Sequence, residues 1–166
     1  EGVPCTLIDN GMPCIVIKAA DVGITGYEDR ETLDANAALK ARIEAIRIAV
    51  GERMNLGDVR EKSVPKLMLV APPRHGGTVT VRSFIPHRAH ASIGVPGAVS
   101  VATACLIDGS PAAAVAAVPP GDRKTISVEH PTGEMSCVLD IDASGAVTSA
   151  ALLRTARKLM DGIVFG

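Results

Sequence analysis

The sequence predicts an α+β domain: a curved, mostly antiparallel sheet wrapped around one buried apolar helix, plus an outer amphipathic helix. Three observations carry this. Short aliphatic and β-branched runs recur between turn signals. Residues 98–107 are apolar around the whole helical circumference, with Ser100 and Thr103 the only polar side chains, so that helix belongs inside a protein. Residues 34–54 instead carry their aliphatic side chains on a single stripe.

In chain order, residues 4–9 and 14–18 are β-rich runs separated by Asn10-Gly11-Met12-Pro13. Asn-Gly is a turn signal, and Pro13 drives its predecessor toward an extended conformation. Residues 23–27 read as a loop. Asp34 is placed to cap the helix over 34–54. There Leu39, Ile43, Ile46 and Val50 recur at helical spacing. Lys40, Arg42, Glu44 and Arg47 flank that stripe as a charged face open to water. Residues 55–62 form a polar connection. A strand over 64–71 is stopped by Pro72-Pro73, and Gly76-Gly77 turns into a strand over 78–85. After a loop at 86–90 the apolar helix begins, with Pro96 suited to its first turn and Asp108-Gly109-Ser110-Pro111 ending it. Residues 112–118 suit a short helix and 119–122 a loop. Strands over 124–129, 134–141 and 146–153 complete the chain, divided by His130-Pro131-Thr132-Gly133 and Asp142-Ala143-Ser144-Gly145.

Composition bounds the function. A chain of 166 residues fits a single domain over 1–166 that buries a real core. Tyr27, Phe84 and Phe165 are the only aromatics, so the core is aliphatic and no stacking platform for single-stranded nucleic acid exists. A formal net charge of −1 gives no global field toward nucleic acid or an anionic membrane. The longest apolar run, 94–107, falls short of the roughly 20 residues that span a bilayer. Cys5, Cys14, Cys105 and Cys137 form no CxxC pair and read as reduced core thiols of a cytoplasmic protein. No targeting segment is recognisable. The first residue is Glu1 rather than Met, which fits a processed product, a cloned domain or a piece of a longer protein.

Between Lys62 and Ile107 there is no Asp or Glu, where simple proportion gives about five. The same stretch holds Lys62, Lys66, Arg74, Arg82, Arg88, His75, His87 and His90. It ends in Ala91-Ser92-Ile93-Gly94-Val95-Pro96-Gly97, the turn that opens the apolar helix. Cations, histidines and a helix N-terminus all favour negative charge, so a site for a small carboxylate is expected. Gly94 and Gly97 permit close backbone approach. Arg88 suits a two-pronged carboxylate pair, and His87 and His90 supply donors. The same turn also fits a plain start to a core helix, and the histidines also fit solvent-facing positions. His87-x-x-His90 has a metal spacing, but acids are lacking nearby and the cysteines are distant, so no metal and no cofactor are expected. His130 reads as a turn histidine and stays outside the site.

Six segments together resemble the PrpF family, which contains 2-methylaconitate cis-trans isomerases and 4-oxalomesaconate tautomerases. They are Asp9-Asn10-Gly11-Met12-Pro13, Ile24-Thr25-Gly26-Tyr27-Glu28, Lys62-Ser63-Val64-Pro65-Lys66, His90-Ala91-Ser92-Ile93-Gly94, His130-Pro131-Thr132-Gly133 and Arg154-Thr155-Ala156-Arg157-Lys158-Leu159-Met160-Asp161-Gly162. Each is weak alone; the order of all six is specific, and the likeness is to the C-terminal half of that family. The first two look most like the oxalomesaconate tautomerases. The resemblance implies the diaminopimelate epimerase-like fold, in which two pseudo-symmetric domains flank the substrate. It also implies that an N-terminal domain of the same protein supplies the acid/base group.

The resemblance further implies substrate contacts at Asn10, Gly11, Met12, Ser63 and Lys66, beside the turn residues His87, Arg88, His90, Ser92, Ile93 and Gly94. Ile93 falls where epimerase relatives carry a catalytic Cys, which removes two-base thiol chemistry. The expected reaction is a 1,3-allylic proton shift on an unsaturated tricarboxylate such as 4-oxalomesaconate. Alternatives are 2-methylaconitate as substrate, or a non-catalytic module that binds a small anion or a protein. A homodimer is common for folds of this kind.

Overall fold

The computed structural model describes residues 2–163; the question of the chain's start at Glu1 lies outside them. Seven strands form one sheet in sequential order: β1 (Cys5–Asp9), β2 (Pro13–Lys18), β3 (Lys66–Ala71), β4 (Val79–Phe84), β5 (Arg123–His130), β6 (Gly133–Ile141) and β7 (Val147–Leu152). The helices are α1 (Arg30–Ala35), α2 (Ala37–Gly51) and α3 (Val95–Ala104). Pairings β1–β2, β3–β4, β5–β6 and β6–β7 are antiparallel; β2–β3 and β4–β5 are parallel. Hairpins connect the antiparallel pairs, and a parallel pair needs a crossover. The segment carrying α2 makes the first crossover and α3 makes the second.

Strand direction decides where those helices go. Crossovers between parallel strands are right-handed with few exceptions. The β3–β4 hairpin reverses strand direction between the two crossovers, so right-handedness sends α2 and α3 to opposite faces of the sheet. The packing shows that split. Cys14, Val16, Met68, Val70, Val79 and Val81 face α3. Ile15, Ile17, Leu67, Leu69, Ala71 and Phe84 face α2. The central strands are therefore buried on both sides, which is why residues 14–17 of β2 and 67–71 of β3 are continuous apolar runs, with Lys18 and Lys66 at their ends. The sheet curls until α3 touches β1, β2, β3, β5, β6 and β7.

Several local expectations change. The helix over 34–54 is divided by Asn36, whose side chain accepts from the Leu39 N–H at 2.9 Å and caps α2. Asp29 caps α1 through the Thr32 N–H at 2.8 Å. Asp34 caps neither; it accepts from the Ala89 N–H at 2.7 Å. A side-chain oxygen in mid-helix competes with the helix's own hydrogen bonds, and here it divides the run. Residues 112–118 form turns rather than a helix, because the Ala117 N–H bonds Thr78 O at 2.9 Å instead of continuing the local ladder.

Arg47 is not on the open charged face. It is wholly buried, with Nε and an Nη on Glu44 at 2.7 and 2.8 Å and the other Nη on the carbonyls of Lys62 and Val64 at 3.2 and 3.0 Å. The guanidinium thereby ties α2 to the segment that feeds β3. Arg47→Ala strands those carbonyls and one carboxylate, and should lower stability by about 3 kcal/mol in urea unfolding. Arg47→Lys should restore little of it, because an ammonium cannot span the fork.

Candidate functional site

Pairing register gathers the candidate residues at one rim. Asp9 pairs with Pro13, Cys14 with Lys66, and Leu67 with Phe84. The β1–β2 turn, the start of β3 and the end of β4 therefore share one end of the sheet. His130 pairs with Gly133 at the β5–β6 turn, which joins this rim through residues 90–92.

The turn from β4 into α3 is held from several sides. The His90 N–H donates to Ser83 O at 2.8 Å, and the Ser83 hydroxyl donates to Ser92 O at 3.2 Å. The Ser92 N–H donates to His90 Nδ1 at 2.9 Å. Thr132 Oγ1 donates to Ala91 O at 2.9 Å, and His130 Nε2 lies 3.4 Å from Ser92 Oγ. Because Nδ1 of His90 accepts, the neutral ring carries its proton on Nε2 and keeps that donor free. Beyond this clasp the N–H groups of Ile93, Gly94, Val95 and Gly97 have no partner among the described residues. Gly94 and Val95 are exposed where α3 starts, while Ile93 and Gly97 are buried, so the positive end of the helix dipole and the unpaired N–H groups of Gly94 and Val95 lie at the surface.

The predicted residues reach this rim in different ways. Met12 is half-buried, and its methyl lies 3.5 Å from the position a Cβ would take on Gly97. Gly11 shapes the exposed turn at φ 85. Lys66 opens β3 on the same face as Met68, level with Cys14, and its ammonium has no partner among the described residues. Arg88 is exposed and also unpaired among the described residues. Ile93 is buried in the α3 core, so only its backbone faces the rim. Asn10 reaches past the rim to Thr103 Oγ1 at 3.1 Å, in the last turn of α3. Ser63 and His87 sit together at a shallow depression, with His87 Nδ1 3.7 Å from Glu44 on α2. His130, set aside from sequence, belongs to the clasp. Its spacing from Ser92 gave no signal, since 38 residues separate the two.

The acid-free stretch is not free of carboxylates in space. Asp34 reaches Ala89 and Glu44 reaches His87. Glu129 enters the 74–77 turn, accepting from the N–H groups of Arg74, His75 and Gly77 at 2.8, 2.7 and 2.9 Å and from Thr80 Oγ1 at 2.7 Å. Burial works to raise the Glu129 pKa, but these four donors outweigh it and hold the carboxyl at about 2. Arg74 stacks over Tyr27 at 3.5 Å. These contacts occupy the opposite face from α3 and use their acids structurally. Among the described residues no three His, Cys, Asp or Glu side chains converge as a metal cluster.

Comparison with known proteins gives the lineage. Residues 1–166 match the PrpF protein family along their whole length. This chain belongs to the PrpF family. It is 81% identical over 165 residues to a (4E)-oxalomesaconate Delta-isomerase of Novosphingobium sp. (strain KA1), covering 99% of this chain and 46% of that protein. It is 57% identical over 164 residues to a 4-oxalomesaconate tautomerase of Pseudomonas putida, covering 99% and 45%. The crystal structure of a methylitaconate-delta-isomerase shares the fold with a TM-score of 0.79 at 22% identity, over 97% of this chain and 49% of its own. The curved sheet around a central helix is thus the diaminopimelate epimerase-like fold expected from the sequence. The chain spans about half the length of the curated relatives it matches.

This PrpF-family chain offers no activated thiol. Burial pushes the Cys14 thiol up to about 11, Cys105 to about 12 and Cys137 to about 11. A thiol at that pKa is not a nucleophile or base near neutral pH. A disulfide-exchange reagent at pH 8 should therefore find at most Cys5 in the native protein, and all four after unfolding.

Glu129 generates a pH prediction. Its folded pKa is depressed from the ordinary 4.5, so its stabilisation is complete above that value and disappears as pH falls toward about 2. The stability gap between the wild type and Glu129→Gln, measured by urea unfolding, should be constant above pH 5 and close steadily below about pH 4.5.

Proposed function

We propose that residues 1–166 are the C-terminal half of a two-domain, cofactor-independent isomerase that moves a proton across the allylic system of 4-oxalomesaconate. The observation that carries this is the 81% identity, along nearly the whole chain, to a (4E)-oxalomesaconate Delta-isomerase. The rim geometry supports it. An unsaturated tricarboxylate would bring carboxylates to the unpaired N–H groups at the start of α3, with the Nε2–H of His90 held in the clasp before it and cations, unpaired among the described residues, supplied by Lys66 at the start of β3 and Arg88 in the loop after β4.

In this reading a base removes the proton from the carbon next to a carboxylate or keto group. The electron pair spreads into a dienolate, and negative charge grows on its oxygens. Donors already fixed toward those oxygens stabilise that charge without reorganising. Reprotonation at the far carbon of the allylic system completes the shift. The base comes from the other domain, since the buried thiols here are pushed out of range and Ile93 carries no ionisable group. Four free cysteines suit a cytoplasmic protein, and no helix among the described residues is long and apolar enough to cross a membrane.

The test is turnover of 4-oxalomesaconate followed by ultraviolet absorbance. The two-domain polypeptide should turn over, the 166-residue chain alone should not, and adding the other half in trans should restore activity. Full turnover by the lone chain contradicts the division of labour. In the two-domain protein Lys66→Met and Arg88→Met should each lower kcat/KM roughly 10- to 100-fold, the effect of losing one charged hydrogen bond. The rate on 2-methylaconitate should be much lower; the reverse preference would move the protein to that alternative substrate.

A further inference from the structure

Arg82 is a buried cation without a counter-charge. It stands on β4 between Val81 and Ser83, on the face turned away from α3, and is only 7% exposed. Its Nε donates to Glu28 O at 2.6 Å and one Nη to Val81 O at 3.0 Å. Among the described residues the other Nη has no hydrogen-bond partner, and no carboxylate forms an ion pair with this guanidinium. Burial works to lower its pKa, yet an arginine keeps its proton inside a protein. A charge taken out of water is unfavourable unless an opposite charge and hydrogen bonds replace that water.

Arg82 lines a cavity of about 110 Å³. Arg74, stacked on Tyr27, lines the same cavity, and its guanidinium also has no acceptor among the described residues. His130 and Pro131 close another side. Two acids stand close by, and both are taken up by other donors. Glu28 accepts from the N–H groups of Thr25 and Gly26 at 2.7 and 2.9 Å and from the Thr25 hydroxyl at 2.8 Å. Glu129 is held by its four donors from the 74–77 turn and Thr80. These acids shape turns; they do not pair with either arginine. We propose that the cavity between Arg74 and Arg82 binds one small inorganic oxyanion of the phosphate type, apart from the substrate rim. Its volume is well under the roughly 300 Å³ of pockets that enclose organic ligands, so a tricarboxylate does not fit. Guanidinium groups present planar sets of N–H donors that match such oxyanions. A bound anion also links β4, the 24–28 loop and the 74–77 turn, and so stabilises the folded protein.

The test uses the full-length protein in phosphate-free buffer at fixed ionic strength. Inorganic phosphate is titrated in while NMR follows the assigned Nε–H of Arg82, which its bond to Glu28 O shields from exchange. That resonance should move with saturation at one phosphate per chain. It should stay in place under tricarballylate, a non-reacting tricarboxylate. Arg74 is exposed and free of ion pairs among the described residues, so Arg74→Gln should fold normally. That variant should raise the phosphate Kd about 10-fold, the effect of losing one charged hydrogen bond. Its turnover of 4-oxalomesaconate should be unchanged. No saturable movement, an unchanged Kd in Arg74→Gln, or saturation of the Arg82 signal by tricarballylate overturns the proposal. Lost turnover in Arg74→Gln overturns it as well, because the cavity would then serve the substrate. A full-length protein that isomerises its substrate but ignores phosphate loses this proposal and keeps the proposed function.

Discussion

The structure depends on enclosing α3. A helix that is apolar on every side cannot rest on one face of a flat sheet, because the far side would remain in water. The sheet instead curls, and its strands supply Cys14, Val16, Met68, Val70, Ile126, Val128 and Leu139 around the helix. Removing that apolar surface from water is the dominant favourable contribution to folding. The same enclosure fixes where α3 starts. Gly97 sits close to Met68, so that an added Cβ would come within 2.7 Å of its methyl carbon and the Met68 side chain would have to move aside.

The proposed chemistry follows from that placement: a rigid helix start holding its unpaired N–H groups in fixed directions is suited to stabilise a charge that develops only during reaction. The clasp formed by Ser83, His90, His130 and Thr132 determines the path of the chain into α3. The clasp is local and polar, whereas the enclosure is distributed and apolar. One sets the direction of the donors and the other keeps them there. No carboxylate from this chain pairs with Lys66 or Arg88 among the described residues.

Much of the fold was legible because its signals are local. The all-apolar composition of α3, the β-branched runs and the Gly and Pro turns each specify their own segment. What was missed depends on partners distant in sequence. Arg47 looked like a flanking surface charge, and only the carbonyls of Lys62 and Val64, brought in by the approach to β3, make it a buried tie. The absence of acids between Lys62 and Ile107 suggested a field that folding partly cancels, through Asp34, Glu44 and Glu129. Asn36 is the readable exception: an Asn three residues before Leu39 is a helix-cap signal as strong as Asp34, and it is Asn36 that caps α2. The candidate rim was half legible. Its residue types stood out, but Asn10 and His87 took partners within the protein while His130 joined from another hairpin.

The most direct measurement is a titration of glycine-labelled full-length protein with 4-oxalomesaconate, or with a non-reacting tricarboxylate, followed by amide NMR. The account predicts that the Gly94 and Gly97 resonances move together with saturation, while Gly26 and Gly76 at the opposite end of the sheet stay in place. A saturable titration that leaves Gly94 and Gly97 unmoved would contradict it, because the acid would then be bound somewhere other than the start of α3.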